Sequence, residues 1–411
     1  MSKLHDLNEL GQSIWYDNIS RALLDSGEFQ KLLDNGVVGV TSNPSIFEKS
    51  IGQSTDYDTA ISKADPALSD EAVYENLAIE DIQRTADLLE PIYEATSGLD
   101  GYVSLEVSPN LANDTDGTIE AARRLWGRLG RKNAMIKVPA TPAGIPAIRQ
   151  LISDGININV TLLFAIEAYE AVAKAYIEGL EEALAAGKKI DSIASVASFF
   201  VSRVDVLVDS LLDDAGNSDL KGKIGLANAK VAYISFQEIF AGDRWEKLAG
   251  EGASVQRPLW ASTGTKSPDY PDTLYVDQLI GADTVNTVPP KTLDAFVDHG
   301  AVANTLVDLE EAQAELQKLA EAGVDMSMVT GQLLDEGVEK FEKAFKSLLT
   351  SVADKREKLT MWRRQFSATL PSELKSAINK GAMEIERDKV VGRIWAHDHT
   401  VWREDPTEIS N

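Results

Sequence analysis

The chain has 411 residues, no cysteine, and a formal net charge of −25 from 65 acidic and 40 basic side chains. Without Cys there is no disulfide, no thiolate nucleophile and no thiolate metal site. Nucleic acid is excluded as the natural partner, because its binding rests on Lys and Arg neutralising phosphates. No apolar run is long enough to span a bilayer, and residues 1–6 lack the basic and apolar regions of a secretory signal, so a cytoplasmic protein is expected with no membrane partner.

The first strand falls at residues 13–17 and ends on Asp17. A helix over 19–33 stops at Asn35-Gly36, a common helix end. A second strand, 37–41, leads into Ser42-Asn43-Pro44-Ser45, and helical sequence with some loop runs on to about residue 95. The third strand, 101–107, contains Glu106; a helix over 119–129 ends at Gly130. The fourth strand lies within 133–141 and carries Lys137 in an otherwise apolar run. After a helix at 143–152, the fifth strand, 156–163, holds Asn159 and Thr161. Tyr169, Val172, Tyr176 and Leu180 then repeat at helical spacing. A sixth strand spans 192–201, two or more helices reach about 248, a seventh strand is 258–262, a Gly/Pro-bearing loop covers 263–272, and an eighth strand is 284–288.

Eight strands, each followed by helical sequence, point to parallel pairing with helices outside and to a (β/α)8 barrel. A doubly wound open sheet is the alternative, although no G-x-G-x-x-G follows the first strand. Side chains alternate between the faces of a strand. Asp17 therefore shares a face with Trp15, Glu106 with Ser104, Lys137 with Met135, and Thr161 with Asn159. Flanking residues such as Ile136, Val138, Val160 and Leu162 suit packing against helices. The polar members thus face inward near the C-terminal strand ends, where barrel enzymes place their chemistry.

Beyond the eighth strand, Leu334, Val338, Phe341, Phe345 and Leu348 mark a packed helix over 331–349. From residue 351 the chain is rich in charge and carries Trp362, Trp395 and Trp402, with helices expected at 353–365, at 372–380 and from 388 onward. The expected organisation is a barrel domain, 1–350, and a helical extension, 351–411, whose tryptophans read as packing anchors. His397-Asp398-His399 reads as solvated tail ahead of a metal site.

A lysine inside a buried strand has two readings. Its stem can carry the ammonium out to water. Alternatively, the amine sits in a dry pocket with its pKa pushed down, ready to attack a carbonyl and form a Schiff base. The other candidates are equally open when each is taken alone. Asp17 could cap the next helix, with Ser20 as a rival. Glu106 could belong to a structural ion pair. Thr161 suits a strand through its β-branch, and Asn43-Pro44 reads as a turn start. Ser198 could fill the core, Arg203 could pair on the surface, and Ser262 and Lys266 could be plain loop residues.

Three strings in order break the deadlock: Thr41-Ser42-Asn43-Pro44-Ser45, Met135-Ile136-Lys137-Val138-Pro139-Ala140-Thr141 and Asn157-Ile158-Asn159-Val160-Thr161-Leu162-Leu163-Phe164. Together they resemble transaldolase, over roughly residues 10–350. The resemblance implies a class I aldolase on a (β/α)8 barrel, needing no metal and no cofactor. It would transfer a dihydroxyacetone unit between sugar phosphates in the pentose phosphate pathway. By that resemblance Lys137 matches the Schiff-base lysine and Glu106 the carboxylate that works through a bound water. Thr161 matches the hydroxyl that helps hold that water, and Asp17 the acid/base for carbon–carbon cleavage. Asn43, Asn159 and Ser198 match the groups that bind substrate hydroxyls, and Arg203 a phosphate-binding arginine. Fructose 6-phosphate aldolases, close relatives that cleave without transfer, typically lack the glutamate present here as Glu106. One position departs from the pattern: many transaldolases place an arginine two residues after the serine on strand seven. Here Ser262 is followed by Thr263-Gly264-Thr265-Lys266, and Lys266 is the expected replacement. A lysine is a point charge without the planar fork. Oligomeric state is left open by the sequence.

Overall fold

Short β-branched and apolar runs form eight parallel strands: β1 (Gln12–Tyr16), β2 (Gly39–Val40), β3 (Tyr102–Glu106), β4 (Ala134–Pro139), β5 (Ile158–Leu163), β6 (Ser195–Phe200), β7 (Arg257–Ala261) and β8 (Thr284–Val288). Each pairs with the next, and β8 returns to β1 in register from Gln12↔Thr284 to Tyr16↔Val288. The sheet is a closed (β/α)8 barrel, and the open-sheet alternative is excluded by that last pairing. The structure, a computed structural model, describes residues 2–214, 218–307, 309–365, 372–395 and 401. Trp402 and the His397-Asp398-His399 string lie outside the described residues. The described chain divides into two units, Met1–Arg356 and Glu357–Asn411; the second contains the helices Ser372–Arg387 and Val390–Trp395. Among the described residues no helix is long and apolar enough to cross a membrane.

Two helical expectations are corrected. The single helix read over 19–33 is two, Arg21–Asp25 and Glu28–Asp34, because Gly27 between them sits at φ +77°, where a residue with a Cβ is strained. Conversely, the helices read over 331–349 and 353–365 are one, Met326–Gln365. The buried stripe Phe341, Phe345, Leu348, Val352 runs straight through Ser351. No Gly or Pro lies between Gly337 and Gln365 to stop it.

The barrel interior is layered. Side chains that bridge strands two apart must point inward, and several do. At the N-terminal end, Arg257 donates to Ser13 Oγ (2.7 Å) and Asp100 Oδ1 (3.0 Å), and Ser13 Oγ donates to Asp100 Oδ2 (2.7 Å). Above this buried polar plug lie Trp15, Tyr102, Met135, Leu259 and Val285. Gly39 leaves the space that Trp15 fills: a Cβ there would stand 2.5 Å from the indole Nε1. On top of that apolar layer the strands end in polar residues.

Candidate active site

The C-terminal strand ends bring the expected residues to one mouth. Lys137, on β4, is 4% exposed. Its Nζ donates to the Ser42 carbonyl at 3.3 Å and lies 4.0 Å from Glu106 Oε2. The lysine is therefore turned into the barrel and does not snorkel to solvent. Ser42 is held in turn by its Oγ donating to the Ser104 carbonyl (2.7 Å). Asn43 caps the short helix Pro44–Phe47 by accepting from the Ile46 N–H (3.0 Å), so the turn after β2 presents its backbone to the amine.

Asp17 follows β1 and continues the ladder through its N–H to the Val288 carbonyl (3.0 Å). Its rivalry with Ser20 resolves cleanly. Ser20 Oγ accepts from the Leu23 N–H and caps the next helix (3.2 Å). The Asp17 carboxylate instead accepts from Thr41 Oγ1 (2.6 Å), which also meets Thr287 Oγ1 at 2.5 Å. Burial raises the Asp17 carboxyl above its ordinary range, partly opposed by Lys137, by the Thr41 hydrogen bond and by Lys266.

Glu106 has a 5% exposed side chain. Burial pushes its pKa up to about 7, with Lys137 pulling down and Asp17 adding to the rise. Its Oε2 has no hydrogen-bond partner, and neither has Thr161 Oγ1. Asn159 has its amide fixed from both ends: Nδ2 donates to Ser104 Oγ (2.9 Å) and Oδ1 accepts from Ser198 Oγ (2.7 Å).

A cavity of about 650 Å³ opens over these groups. Asp17, Asn43, Lys137, Ser198, Arg203, Ser262 and Lys266 line it directly. Glu106, Asn159 and Thr161 are not among its lining residues and sit behind them. Arg203, in the first turn of helix Ser202–Asp214, holds its guanidinium 5.0 Å from the Phe200 ring centroid. Ser202 and Ser262 join their hydroxyls at 2.9 Å. Burial lowers the pKa of Arg203, against a rise from Glu336; burial, Arg203 and Lys340 together lower that of Lys266.

Backbone irregularity frames the site. Leu162, directly after Thr161, has φ +59° and sits where the β5–β6 register shifts. Ser262 has φ +56°. A branched residue at positive φ is a costly conformation, and a bulge re-aims neighbouring side chains. Strict strand alternation therefore fails beyond Thr161.

Sequence reasoning missed four contributors. Lys49, Lys340 and Thr287 also line the cavity, and Thr41 orients Asp17. Lys340 adjoins Phe341 in a helix read only for packing, and Lys49 lies in the π-helical turn Glu48–Gly52. Neither stands out among 40 basic residues. Among the described residues no group of three or more His, Asp or Glu could hold a metal ion.

The arrangement is a buried amine 4.0 Å from one carboxyl of raised pKa and electrostatically coupled to a second, on a cavity whose other polar groups include several cations. Such a set can add an amine to a carbonyl, move protons near neutrality and anchor an anion. The sequence pattern of the Transaldolase/Fructose-6-phosphate aldolase family matches residues 14–352. The chain is 47% identical over 375 residues to "Transaldolase 2" of Nostoc sp., covering 86% of this chain and 98% of that protein. It is 47% identical over 375 residues to "Transaldolase" of Trichodesmium erythraeum, with 87% and 98% covered. "Transaldolase" of Neisseria meningitidis is 48% identical over 352 residues, with 85% and 99% covered.

Proposed function

The chain belongs to the transaldolase/fructose-6-phosphate aldolase family, and we propose that it transfers a dihydroxyacetone unit from sedoheptulose 7-phosphate to glyceraldehyde 3-phosphate. Erythrose 4-phosphate and fructose 6-phosphate are the products. The step belongs to the non-oxidative pentose phosphate pathway, in the cytoplasm. Lys137 carries the unit as a Schiff base.

In this reading the Lys137 amine adds to the C2 ketone of the donor. The resulting carbinolamine loses its hydroxyl as water, and a carboxyl that titrates near 7 can give and take those protons. Glu106 fits that task, and its unpartnered Oε2 and the unpartnered Thr161 Oγ1 are the two groups that would hold a water between them. The iminium then accepts the electron pair of the breaking C3–C4 bond. Asp17 takes the C4 hydroxyl proton as that carbon becomes the aldehyde. The aldehyde leaves, and the enamine waits for the acceptor. Asn43 and Ser198 face its hydroxyls, and Asn159 steadies Ser198. Arg203 and Lys266 anchor the phosphate, with the Ser202–Ser262 pair beside them. Attack on the acceptor returns the proton from Asp17 to the new hydroxyl, and hydrolysis at Lys137 frees the product.

The carrying observation is a single geometry. An amine 4% exposed lies 4.0 Å from a carboxylate, on the same cavity as Asp17, Arg203 and Lys266. The test is borohydride reduction in the presence of fructose 6-phosphate, followed by peptide mass spectrometry. The adduct is expected on Lys137 and absent in Lys137→Ala; trapping retained by that variant would sink the proposal. Adding erythrose 4-phosphate decides between transfer and simple cleavage. Transfer is expected to outrun release of free dihydroxyacetone.

A further inference from the structure

Lys49, Arg203, Lys266 and Lys340 all line one cavity in a chain whose net charge is −25. None of the four forms an ion pair among the described residues. Three acids stand near the group: Asp17, on the same cavity, acts on Lys266; Glu336 acts on Arg203; and Glu48, which also lines the cavity, accepts from Ser347 Oγ (3.3 Å). Like charges gathered at one place repel unless something anionic joins them. Their mutual effect is visible: Arg203, burial and Lys49 lower the Lys340 pKa.

Packing, and not chance, brings Lys340 there. It rides on helix Met326–Gln365, which follows the eighth strand and its helix and belongs to no βα unit. One turn earlier, Gly337 lets that helix approach the mouth. A Cβ there would stand 3.0 Å from Leu162 Cδ2 and 3.6 Å from Arg203 Nη1. The next residue, Phe341, is buried in the same apolar cluster as Phe200. Ser347, two turns on, bonds Glu48 beside Lys49.

We propose that Lys340, assisted by Lys49, is a specificity-determining residue that recognises the substrate's phosphate monoester together with Arg203 and Lys266. The anion site is thus completed by an element outside the repeating barrel. This rests on reading the cavity as a sugar-phosphate site.

The test uses full-length Lys340→Gln and Lys340→Arg. With Gln, KM for fructose 6-phosphate is expected to rise at least about tenfold with a smaller change in kcat. With Arg, KM returns to within about threefold, since the charge is kept. Schiff-base trapping with unphosphorylated dihydroxyacetone should suffer a loss at least about fivefold smaller than trapping with fructose 6-phosphate. A KM within about twofold of wild type, or equal losses with both sugars, overturns the proposal, the second marking a structural role. Inorganic phosphate binding, measured calorimetrically, separates this inference from the reading it rests on. Weakened phosphate binding in Lys340→Gln supports Lys340 even if no adduct forms on Lys137, and unchanged binding overturns it.

Discussion

Among single residues, burial raises the pKa of both carboxyls of the site, Glu106 and Asp17, and leaves Glu106 Oε2 without a hydrogen-bond partner. Glu106 loses its water on folding and gains one cation at 4.0 Å, which does not restore its ordinary acidity. Its native pKa of about 7 lies above the ordinary carboxyl value. The native state therefore holds a proton that the unfolded chain releases. Stability from this group is present at low pH and is lost as pH rises from the unfolded value through about 7. Glu106→Gln should flatten that slope. Urea unfolding is expected to show the variant close to wild type at pH 5 and more stable at pH 8, by on the order of a few kcal/mol. Transfer activity should fall by about a hundredfold or more. A variant less stable than wild type at pH 8 would contradict the assigned cause. Asp17 shows the same logic with a different partner. Ser20 takes the capping work, and that leaves the aspartate free to turn inward onto Thr41.

At the scale of elements, the turn after β4 decides where Lys137 points. Thr141 Oγ1 accepts from the Gly144 N–H (2.9 Å) and donates to the Ala112 carbonyl. A Cβ on Gly144 would lie 2.0 Å from the Pro139 carbonyl oxygen. That neighbour is backbone and cannot swing aside. Gly144→Ala must move either the helix start or the end of β4, two residues beyond Lys137. We expect a loss of about 1–3 kcal/mol in urea unfolding, with slower borohydride trapping at Lys137. Wild-type stability in this variant would show that the turn yields more easily than its packing indicates. The long helix Met326–Gln365 makes the complementary point. Its apolar stripe was legible, but the lysine beside Phe341 acquires meaning only where the helix crosses the mouth.

At the scale of the whole molecule, every residue lining the cavity lies within the unit Met1–Arg356. We propose that the chemistry is self-contained there. A chain ended after residue 356 should fold and keep transfer activity within about threefold, as expected when no residue touching substrate is removed. A chain ended after residue 350 loses more. It removes Val352, which is 0% exposed, together with Lys355, which bonds Asp58 at 2.6 Å, and Arg356, which bonds Asp70 at 2.5 Å. Burial of one valine alone accounts for about 2 kcal/mol, and a clear drop in the thermal midpoint should follow. Equal stability of the two truncations would refute this account. The acidic surface and the cationic mouth are likewise separate facts. Net charge governs solubility, whereas the four cations of the mouth line the cavity itself, where we propose that they select for an anionic substrate.

Eight strand-then-helix units with two-residue alternation made a closed barrel the leading expectation from sequence, and the pairing of β8 with β1 excluded the open sheet. Strand parity, a local property, likewise pointed Asp17, Glu106, Lys137, Asn159 and Thr161 inward, but that the Lys137 ammonium stays inside was decided by the packing around it. Packing in three dimensions set which of them meet the cavity and which stand behind it. It also decided that Leu162 and Ser262 would leave the regular strand conformation. The recruitment of Lys49 and Lys340 was likewise beyond the sequence. That outcome depends on bringing together residues as far apart in the chain as Lys49 and Lys340, which line one cavity, and nothing in the local pattern of either segment encodes the other's position.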